Sequence, residues 1–474
     1  MFARRVPRLS AGRVSLARRA WTSGWLALAV SLSPALVACG SRDSSPTRPN
    51  VILISIDSLR ADHLACYGYE RPTSPAIDAL AAGGVLFERA VAQAPWTLPS
   101  HASLFTSLYT RTHQTGDVSR RLPPFPTLAT ELAGAGYSTM AVVGGTFMQT
   151  EFGLDRGFEI YDDELAKAGH RQSHRAVTSP ETLEKSLQLL GTSPSPFFLF
   201  VHFWDVHYDY IPPAPYDTLF DPDYEGDITG HRFYGNDAVN AGMDPADLEH
   251  ILALYDGEIA WVDEHVAKLL SELEARGLAE DTLVVLTADH GDEFFEHGLK
   301  GHTHSLYEEL LHVPLVVRGP GVPSAVRVPQ RVELIDVMPT VLELVGLPVP
   351  DGAQGRSLRP LLDGAPWPPR PSFAETSKAR KTANKADKGY ASTVYLEERK
   401  LIQYERQRHP DEVYSLGDDP GEHNDLSASP AGAAPLLEAH RSWLERIPTG
   451  RAALHGGLDA HTLEQLKGLG YVDD

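Results

Sequence analysis

The sequence predicts an α/β protein: a doubly wound, mainly parallel sheet flanked by helices, with a smaller C-terminal α+β subdomain. Three observations support this prediction. Continuous apolar runs that end abruptly at polar residues are typical of buried parallel strands. Stretches with helical periodicity separate one such run from the next. After about Pro348 the pattern changes to a proline-rich stretch and short strand-like runs, which indicates a separate subdomain.

The predicted strands start with the run VILISI, a β-branched stretch that ends at Asp57. In chain order, the predicted strands of the main sheet are 51–56, 138–143, 197–203, 283–287 and 315–317. The predicted helices between and after them are 75–83, 127–134, 181–190, 247–276 and 334–345. Beyond residue 348, we predict a mobile basic loop at 378–388 and strands at 392–396 and 400–404. Two helices are predicted after them, at 435–444 and 459–467.

The N-terminus has the pattern of an export signal. Residues 1–38 contain six arginines and no acidic residue, and the apolar run 25–37 is too short to cross a ~30 Å hydrocarbon core. The sequence LVAC ending at Cys39 resembles the lipobox of bacterial lipoproteins, although plain secretion with cleavage near Ala38 is the alternative. We predict a signal peptide at 1–38, lipidation of Cys39, a polar tether at 39–49, and a location in the cell envelope, at the periplasmic face of the outer membrane.

The charge and the cysteine content exclude two classes of function. With 42 basic and 63 acidic side chains, the net charge is −21, so nothing would neutralise the phosphates of a nucleic acid. The sequence has only two cysteines, Cys39 and Cys66, so neither a disulfide framework nor a cysteine zinc site is available. We therefore expect no nucleic-acid partner, and contact with a membrane only through the lipid on Cys39.

Acidic and imidazole side chains follow two of the predicted strands. Asp57 comes directly after the first strand, and Asp289 and His290 follow the strand at 283–287. Ligands of open α/β sheets bind at the carboxyl ends of the strands, and two carboxylates with an imidazole suit a divalent cation. Each residue alone has an ordinary structural role, such as a helix N-cap for an aspartate. The three together predict a metal site.

A threonine that precedes a predicted helix adds a hydroxyl to this pattern. Pro99 suits the first turn of a helix that continues through 102–108. Thr97 is therefore expected just before a helix N-terminus, whose free N–H groups attract anions. A hydroxyl beside a metal at such a position is what nucleophilic attack on a phosphate or sulfate ester requires. A simple N-cap is the alternative role of Thr97.

These segments together resemble the sulfatase family, within the alkaline-phosphatase-like superfamily. The resemblance covers roughly residues 49–430 and rests on six blocks, PNVILISIDSLRADHLACYGY, WTLPSHASLFTSLY, GLDRGFEIYDD, FFLFVHFWDVHYDYIPPAPY, TADHGDEFFEHGLKGHTHSLYEELLHVPLVVRGPG and EVYSLGDDPGEHNDL. It implies a catalytic α/β domain at 50–348 and a C-terminal subdomain at 349–474. It also implies hydrolysis of sulfuric or phosphoric esters, of small molecules or of glycans and lipids, at a divalent metal ion.

The resemblance assigns the metal site and the nucleophile to four residues. Asp57, Asp289 and His290 match metal ligands of the family, and Thr97 stands at the nucleophile position. The Thr97 oxygen is expected to be the fourth ligand, because an unassisted threonine hydroxyl is a poor nucleophile at neutral pH and needs a metal to lower its pKa.

The resemblance also implies roles for several histidines. His207 matches the family histidine that contacts the ester or protonates its leaving group. His302 stands where relatives place a lysine that grips the anion, and His304 beside it is a second substrate-binding candidate. His101 would hold the anion or orient Thr97. Structural roles are expected for two further histidines, His202 and His297.

The sequence departs from the family at four positions of this site. Thr97 replaces the cysteine or serine that is oxidised to formylglycine, and the β-methyl of threonine would give a ketone, so we expect no formylglycine. His101 replaces an arginine, Ser58 a second aspartate and His290 an asparagine. Fewer carboxylates and a nitrogen ligand favour zinc or manganese over calcium, which is still compatible. We expect one metal ion.

Three hypotheses for the function follow. The first is a metal-dependent hydrolase of phosphoric, phosphonic or sulfuric esters with Thr97 as the direct nucleophile. The second is an envelope transferase that passes a phospho-group from Thr97 to a glycan or lipid, and the third is a non-catalytic binding protein. A variant of the first hypothesis places Asp205, His207 and His302 or His304 on a second metal ion.

Overall fold

In a computed structural model of the chain, nine strands form one central sheet, and the first strand of the chain lies inside it. The structure describes residues 48–167, 178–381, 388–405, 409–428, 430–450, 453–454, 458–468 and 471–472. They belong to one compact unit, residues 47–474. The predicted signal peptide at 1–38, Cys39 and most of the tether lie outside the described residues.

The central sheet is mixed and mostly parallel, which confirms the predicted fold class. Its strands are β1 (Asn50–Ile56), β2 (Val85–Val91), β3 (Ser138–Val143), β4 (Ile160–Asp162), β5 (Phe197–Phe203), β6 (Thr282–Ala288), β7 (His312–Val313), β8 (Leu315–Arg318) and β9 (Val326–Glu333). The order is β7-β2-β8-β6-β1-β5-β3-β4, and β9 pairs with β2. Strand β1 is parallel to both neighbours, β5 and β6, whereas β8 is antiparallel to β2 and β6.

Helices flank this sheet in two groups. The helices are α1 (Pro75–Ala82), α2 (Thr97–Thr106), α3 (Thr110–His113), α4 (Leu128–Gly134), α5 (Glu164–Lys167), α6 (Ser179–Thr192), α7 (Pro245–Ala275), α8 (Glu308–Leu311), α9 (Val337–Leu344), α10 (Arg359–Leu362), α11 (Pro430–Arg446) and α12 (Ala460–Gly468). Helix α7 contacts α1 and α6, and α2, α4 and α9 contact one another. Among the described helices, none has the length and apolar composition to cross a membrane.

The register of β1 determines where the site forms. All seven residues of β1 are buried, because its side chains are covered on both faces of the sheet. Ile56 at its carboxyl end pairs with Phe203 of β5 and with Ala288 of β6. The residues that follow these three strand ends therefore meet at one edge of the sheet.

The C-terminal subdomain contains a second, antiparallel sheet, as predicted. Its strands follow chain order, β10 (Ser372–Ala379), β11 (Gly389–Leu396), β12 (Arg399–Tyr404) and β13 (Glu412–Ser415). Helix α11 packs on β11 and β12. Trp443 of this helix stacks on Phe373 of β10, with ring centroids 4.7 Å apart. The domain boundary at residue 348 stays a prediction.

The structure corrects the prediction of a mobile loop at 378–388. Lys378 and Ala379 belong to β10, and Ala379 is buried. The start of the predicted loop is thus the end of a strand, which the basic composition did not indicate. Residues 382–387 lie outside the described residues. Strands β2, β9, β10 and β13 were not predicted, because charged residues and a proline interrupt their apolar patterns.

Candidate active site

Asp57 lies at the carboxyl end of β1 and is completely buried. Its backbone N–H donates to the carbonyl of Phe203, the last residue of β5. The next residue, Ser58, has a left-handed backbone conformation with φ 57°, which turns the chain away from the strand. The Ser58 hydroxyl donates to Asp57 Oδ1 at 2.9 Å, and its backbone N–H donates to Asp289 Oδ1 at 3.3 Å. Ser58 therefore orients both aspartates.

Asp289 and His290 follow β6 and lie next to Asp57, as predicted. The ligand atoms of these three residues lie within 4.8 Å of one another. His290 Nδ1 donates to the carbonyl of Gly291 at 2.8 Å, so the lone pair is on Nε2. This Nε2 is 3.4 Å from Asp289 Oδ2 and 3.7 Å from Asp57 Oδ1. One nitrogen and two carboxylates thus face a common point.

Thr97 completes the predicted group, with its hydroxyl donating to Asp57 Oδ2 at 3.4 Å. It is the first residue of α2, one position further along than predicted, and Trp96 is the N-cap. The Trp96 side chain makes no capping hydrogen bond, and the N–H groups of the first turn of a helix have no partner within that helix. The Thr97 hydroxyl therefore lies between a carboxylate and an anion-attracting helix end.

The residues present fit a divalent cation. Asp289 Oδ2 and His290 Nε2 are buried and make no hydrogen bond to any described residue, which is costly for polar atoms unless a ligand binds them. Burial raises the pKa of Asp57 to about 6, while burial and the Asp57 charge raise that of Asp289 to about 7. Two buried carboxylates that repel each other need a positive charge between them. A divalent metal ion would supply that charge.

His202, for which a structural role was expected, also lies next to Asp57. Its Nδ1 donates to the carbonyl of Gly144 at 2.9 Å, and its Nε2, which makes no hydrogen bond, lies 3.4 Å from Asp57 Oδ2. The signal that could have identified it is strand register, because His202 of β5 pairs with Ser55 of β1, two residues before Asp57. His202 is thus a further candidate ligand.

His101 contacts the backbone of Thr97. Its Nδ1 donates to the Thr97 carbonyl at 2.9 Å, and its Nε2 accepts from the Ser55 hydroxyl at 3.0 Å. Burial lowers the pKa of this histidine to about 3, so the ring is neutral. With both ring nitrogens bonded inside the protein, the geometry favours the orienting role of His101 over direct contact with an anion.

His302 and His304 are both hydrogen-bonded through both ring nitrogens. His302 Nδ1 lies 2.5 Å from Asp292 Oδ1, and its Nε2 lies 2.5 Å from the Tyr471 hydroxyl. Its ring centroid is 4.4 Å from that of His290, which places His302 beside the metal-binding group. His304 bonds to the carbonyl of His302 and to Glu293, so no ring nitrogen is left for an ester. Sequence reasoning missed Asp292 and Tyr471.

His207 lies beside His302, with ring centroids 5.1 Å apart. Its ring stacks on Trp204 at 3.8 Å, and its Nδ1 donates to the carbonyl of Tyr208 at 2.8 Å. Asp205, two residues before it, points elsewhere. The Asp205 carboxylate accepts hydrogen bonds from Thr178 and from the backbone of Ser179, where it caps the start of α6. The Asp205 carboxylate is therefore not available as a ligand for the second metal ion of the alternative hypothesis.

Comparison with known proteins agrees with this geometry. The sulfatase family model matches residues 49–347, more than half of the chain, and the model for the C-terminal part of N-sulphoglucosamine sulphohydrolase matches residues 296–445. The chain belongs to the sulfatase family. It is an ester hydrolase of that family, whose members use a metal ion, and the cluster of Asp57, Asp289 and His290 is a candidate site for one.

Two curated proteins and one solved structure are examples of what this chain is similar to. A Δ4,5-hexuronate-2-O-sulfatase of Bacteroides thetaiotaomicron is 25% identical over 86% of this chain and 91% of its own length. A multifunctional alkaline phosphatase superfamily protein of Trinickia caryophylli is 27% identical over 68% and 78%. The phosphonate monoester hydrolase of Agrobacterium radiobacter, a crystal structure, aligns with a TM-score of 0.71 at 25% identity over 84% and 95%.

Proposed function

We propose that this protein is a metal-dependent hydrolase of sulfuric, phosphoric or phosphonic esters in which Thr97 attacks the ester directly. The observation that supports this proposal most strongly is the position of the Thr97 hydroxyl. It contacts Asp57 at the first turn of α2, beside the buried atoms of Asp289 and His290 that make no hydrogen bond. The names of the relatives, a sulfatase and a phosphonate monoester hydrolase, fit the same classes of ester.

We propose Asp57, Asp289, His290 and the Thr97 oxygen as ligands of one zinc or manganese ion. Support comes from the donor set, since an imidazole nitrogen suits these metals and an all-oxygen set suits calcium. The Nε2 of His202, which faces the same carboxylate, adds a second nitrogen donor. A divalent ion bound here would lower the pKa of the Thr97 hydroxyl and neutralise charge on the ester.

In the proposed reaction, Thr97 Oγ forms a bond to the phosphorus or sulfur while the bond to the leaving-group oxygen breaks. His207 gives that oxygen a proton, and the amides of the first turn of α2 donate to the oxygens of the anion. His101 keeps Thr97 in place through the Thr97 carbonyl. The attacking Oγ has already lost its proton to solvent. Water then attacks the threonine ester and gives one proton to His207, the water oxygen stays on the released acid, and Thr97 Oγ leaves in its deprotonated form for the next cycle.

We propose that no formylglycine forms at Thr97. The aldehyde arises by oxidation of an unbranched β-carbon, whereas the β-carbon of threonine carries a methyl group. A hydroxyl retained at this position is consistent with its hydrogen bond to Asp57.

The function is tested with a panel of aryl sulfates, phosphate monoesters, phosphodiesters and phosphonate monoesters. The purified protein is stripped of metal and reloaded separately with zinc, manganese or calcium. We expect turnover of at least one ester class, dependent on zinc or manganese and abolished by a chelator. Failure to hydrolyse any of these esters with any metal would contradict the proposal, and activity with calcium alone would contradict our assignment of the metal.

We also propose that Cys39 is lipidated and that the mature protein is held at the periplasmic face of the outer membrane. The support is the LVAC sequence, followed by Gly40 and Ser41 rather than aspartate. Cys39→Ala is expected to leave an uncleaved or mislocalised precursor, which fractionation and mass spectrometry of the N-terminus would detect. If the variant is processed and released like the parent, the protein is not a lipoprotein.

A further inference from the structure

The last helix of the described chain, α12, packs against the segment after β3. The buried Gln149 side chain donates to Gln465 Oε1 at 2.8 Å and accepts from the Thr462 hydroxyl at 3.2 Å. Leu466 is fully buried on the same helix, and its carbonyl accepts the backbone N–H of Tyr471 at 2.9 Å. These polar and apolar contacts together fix the position of Tyr471.

The ring of Tyr471 lies in an aromatic wall next to the candidate nucleophile. Tyr471 is only 7% exposed and packs edge-on against Phe147, with centroids 4.6 Å apart. It also lies 6.3 Å from the ring of Trp96, the residue that directly precedes Thr97. The Lys378 Nζ of β10 lies 4.8 Å from the Tyr471 centroid and 4.0 Å from that of Trp96. The Lys378 ammonium group therefore lies beside the rings of both Tyr471 and Trp96.

The hydroxyl of Tyr471 faces the interior of the site. It is 2.5 Å from Nε2 of His302, whose Nδ1 is bonded to Asp292. Since both nitrogens of His302 are bonded, this histidine reaches a bound ester only through Tyr471. Burial and the charge of Asp57 raise the pKa of Tyr471 well above its usual value, so the hydroxyl keeps its proton. The His302 ring to which it is bonded lies 4.4 Å from the ring of His290, and this contact links Tyr471 to the candidate metal site.

We propose that Tyr471 is a substrate-binding residue whose hydroxyl, held by His302, hydrogen-bonds to an oxygen of the ester's anionic group. A tyrosine hydroxyl has one proton to donate and two lone pairs that accept, so it contacts the anion as a donor only if His302 Nε2 donates to it. In this proposal the Asp292 carboxyl donates to His302 Nδ1, His302 Nε2–H donates to the Tyr471 oxygen, and the Tyr471 O–H donates to the anion. Asp292 and His302 then act as positioning residues for Tyr471. This inference rests on the proposed function, because it requires an ester bound at Thr97.

The test compares Tyr471→Phe with Tyr137→Phe in the full chain. Tyr137 is also buried, and its hydroxyl donates to the carbonyl of Pro49 at 2.9 Å, away from the site. Each variant loses a hydroxyl and keeps its ring. Tyr471→Phe also loses the hydrogen bonds to His302 and Tyr208, so the melting temperature of both variants is measured to separate stability from binding. We expect Tyr471→Phe to lower kcat/KM by about tenfold to a hundredfold, the loss of a hydrogen bond to a charged group. Tyr137→Phe should keep the parental kcat/KM.

Binding of product anions gives a second readout. Inorganic phosphate and inorganic sulfate are tested as competitive inhibitors, with metal content and melting temperature measured alongside. The proposal expects Tyr471→Phe to weaken inhibition by these anions at unchanged metal content, whereas Tyr137→Phe keeps it. Parental kcat/KM and parental inhibition in Tyr471→Phe would overturn this inference alone. A parent protein that hydrolyses no ester of the panel would overturn it together with the proposed function.

Discussion

Thr97→Ala is expected to lower kcat by about three orders of magnitude or more, because the attacking oxygen is lost. Metal content should change little, since Asp57, Asp289 and His290 stay in place. Acid-quenched single turnovers of the parent, analysed by mass spectrometry, should show the phosphoryl or sulfuryl group on the peptide that contains Thr97. The same peptide of the variant should stay unmodified.

Thr97→Ser is the matched control, because it removes only the β-methyl and keeps the hydroxyl that contacts Asp57. We expect it to retain a large part of the activity toward phosphoesters. Near-parental activity of Thr97→Ala would mean that water attacks the ester directly, and the covalent mechanism would then be wrong. A formyl group detected at residue 97 of the parent would contradict our account of this position.

The second large effect is expected for the metal ligands. Asp57→Ala, Asp289→Ala and His290→Ala should each reduce bound metal well below one ion per chain and abolish turnover. Each aspartate accepts a hydrogen bond from the buried Ser58, so its removal leaves a buried donor unpaired and should lower the melting temperature modestly. The stabilisation that the parent gains when metal is added should disappear, since a ligand stabilises only the state that binds it. Elemental analysis and melting curves with and without chelator measure both effects.

His250→Ala is the matched control for His290→Ala. His250 of α7 is also a buried histidine, and its Nδ1 lies 2.9 Å from Asp221 Oδ2, which is not among the proposed ligands. It should keep the parental metal content and turnover. Full metal content in all three ligand variants would refute the proposed metal site.

The buried parallel strands could be predicted from the sequence because burial on both faces gives an uninterrupted apolar run. The run VILISI corresponds to β1 and FFLFVHF to β5, with at most one residue of difference at an end. Strand β9, VRVPQRVE, could not be predicted in this way. Its arginines are exposed or half-exposed, and its partner β2 carries charged residues at its centre, so local hydrophobicity gives no signal.

Residues of the candidate site could be predicted where a polar side chain comes directly after a buried strand, as for Asp57, Asp289 and His290. They could not be predicted where a contact depends on distant parts of the chain. Tyr471 meets His302 across 169 residues, and no local pattern marks either as the partner of the other. His202 lies among apolar sequence neighbours, and only the pairing of β5 with β1 brings it to Asp57.

The position of β1 in the sheet has a consequence for how the chain folds. Val51 pairs with Phe198 on one side and with Leu283 on the other. Both hydrogen-bonding edges of β1 therefore stay unpaired until β5 and β6, much later in the chain, have been synthesised. Such non-local pairing raises the contact order and slows folding. Until β6 has formed, VILISI is an apolar, uncharged segment with open edges, of the kind that pairs with other chains. We therefore expect that the first strand needs protection from pairing with other chains during synthesis, and that the proposed metal ligands come together only after residue 290 has been made.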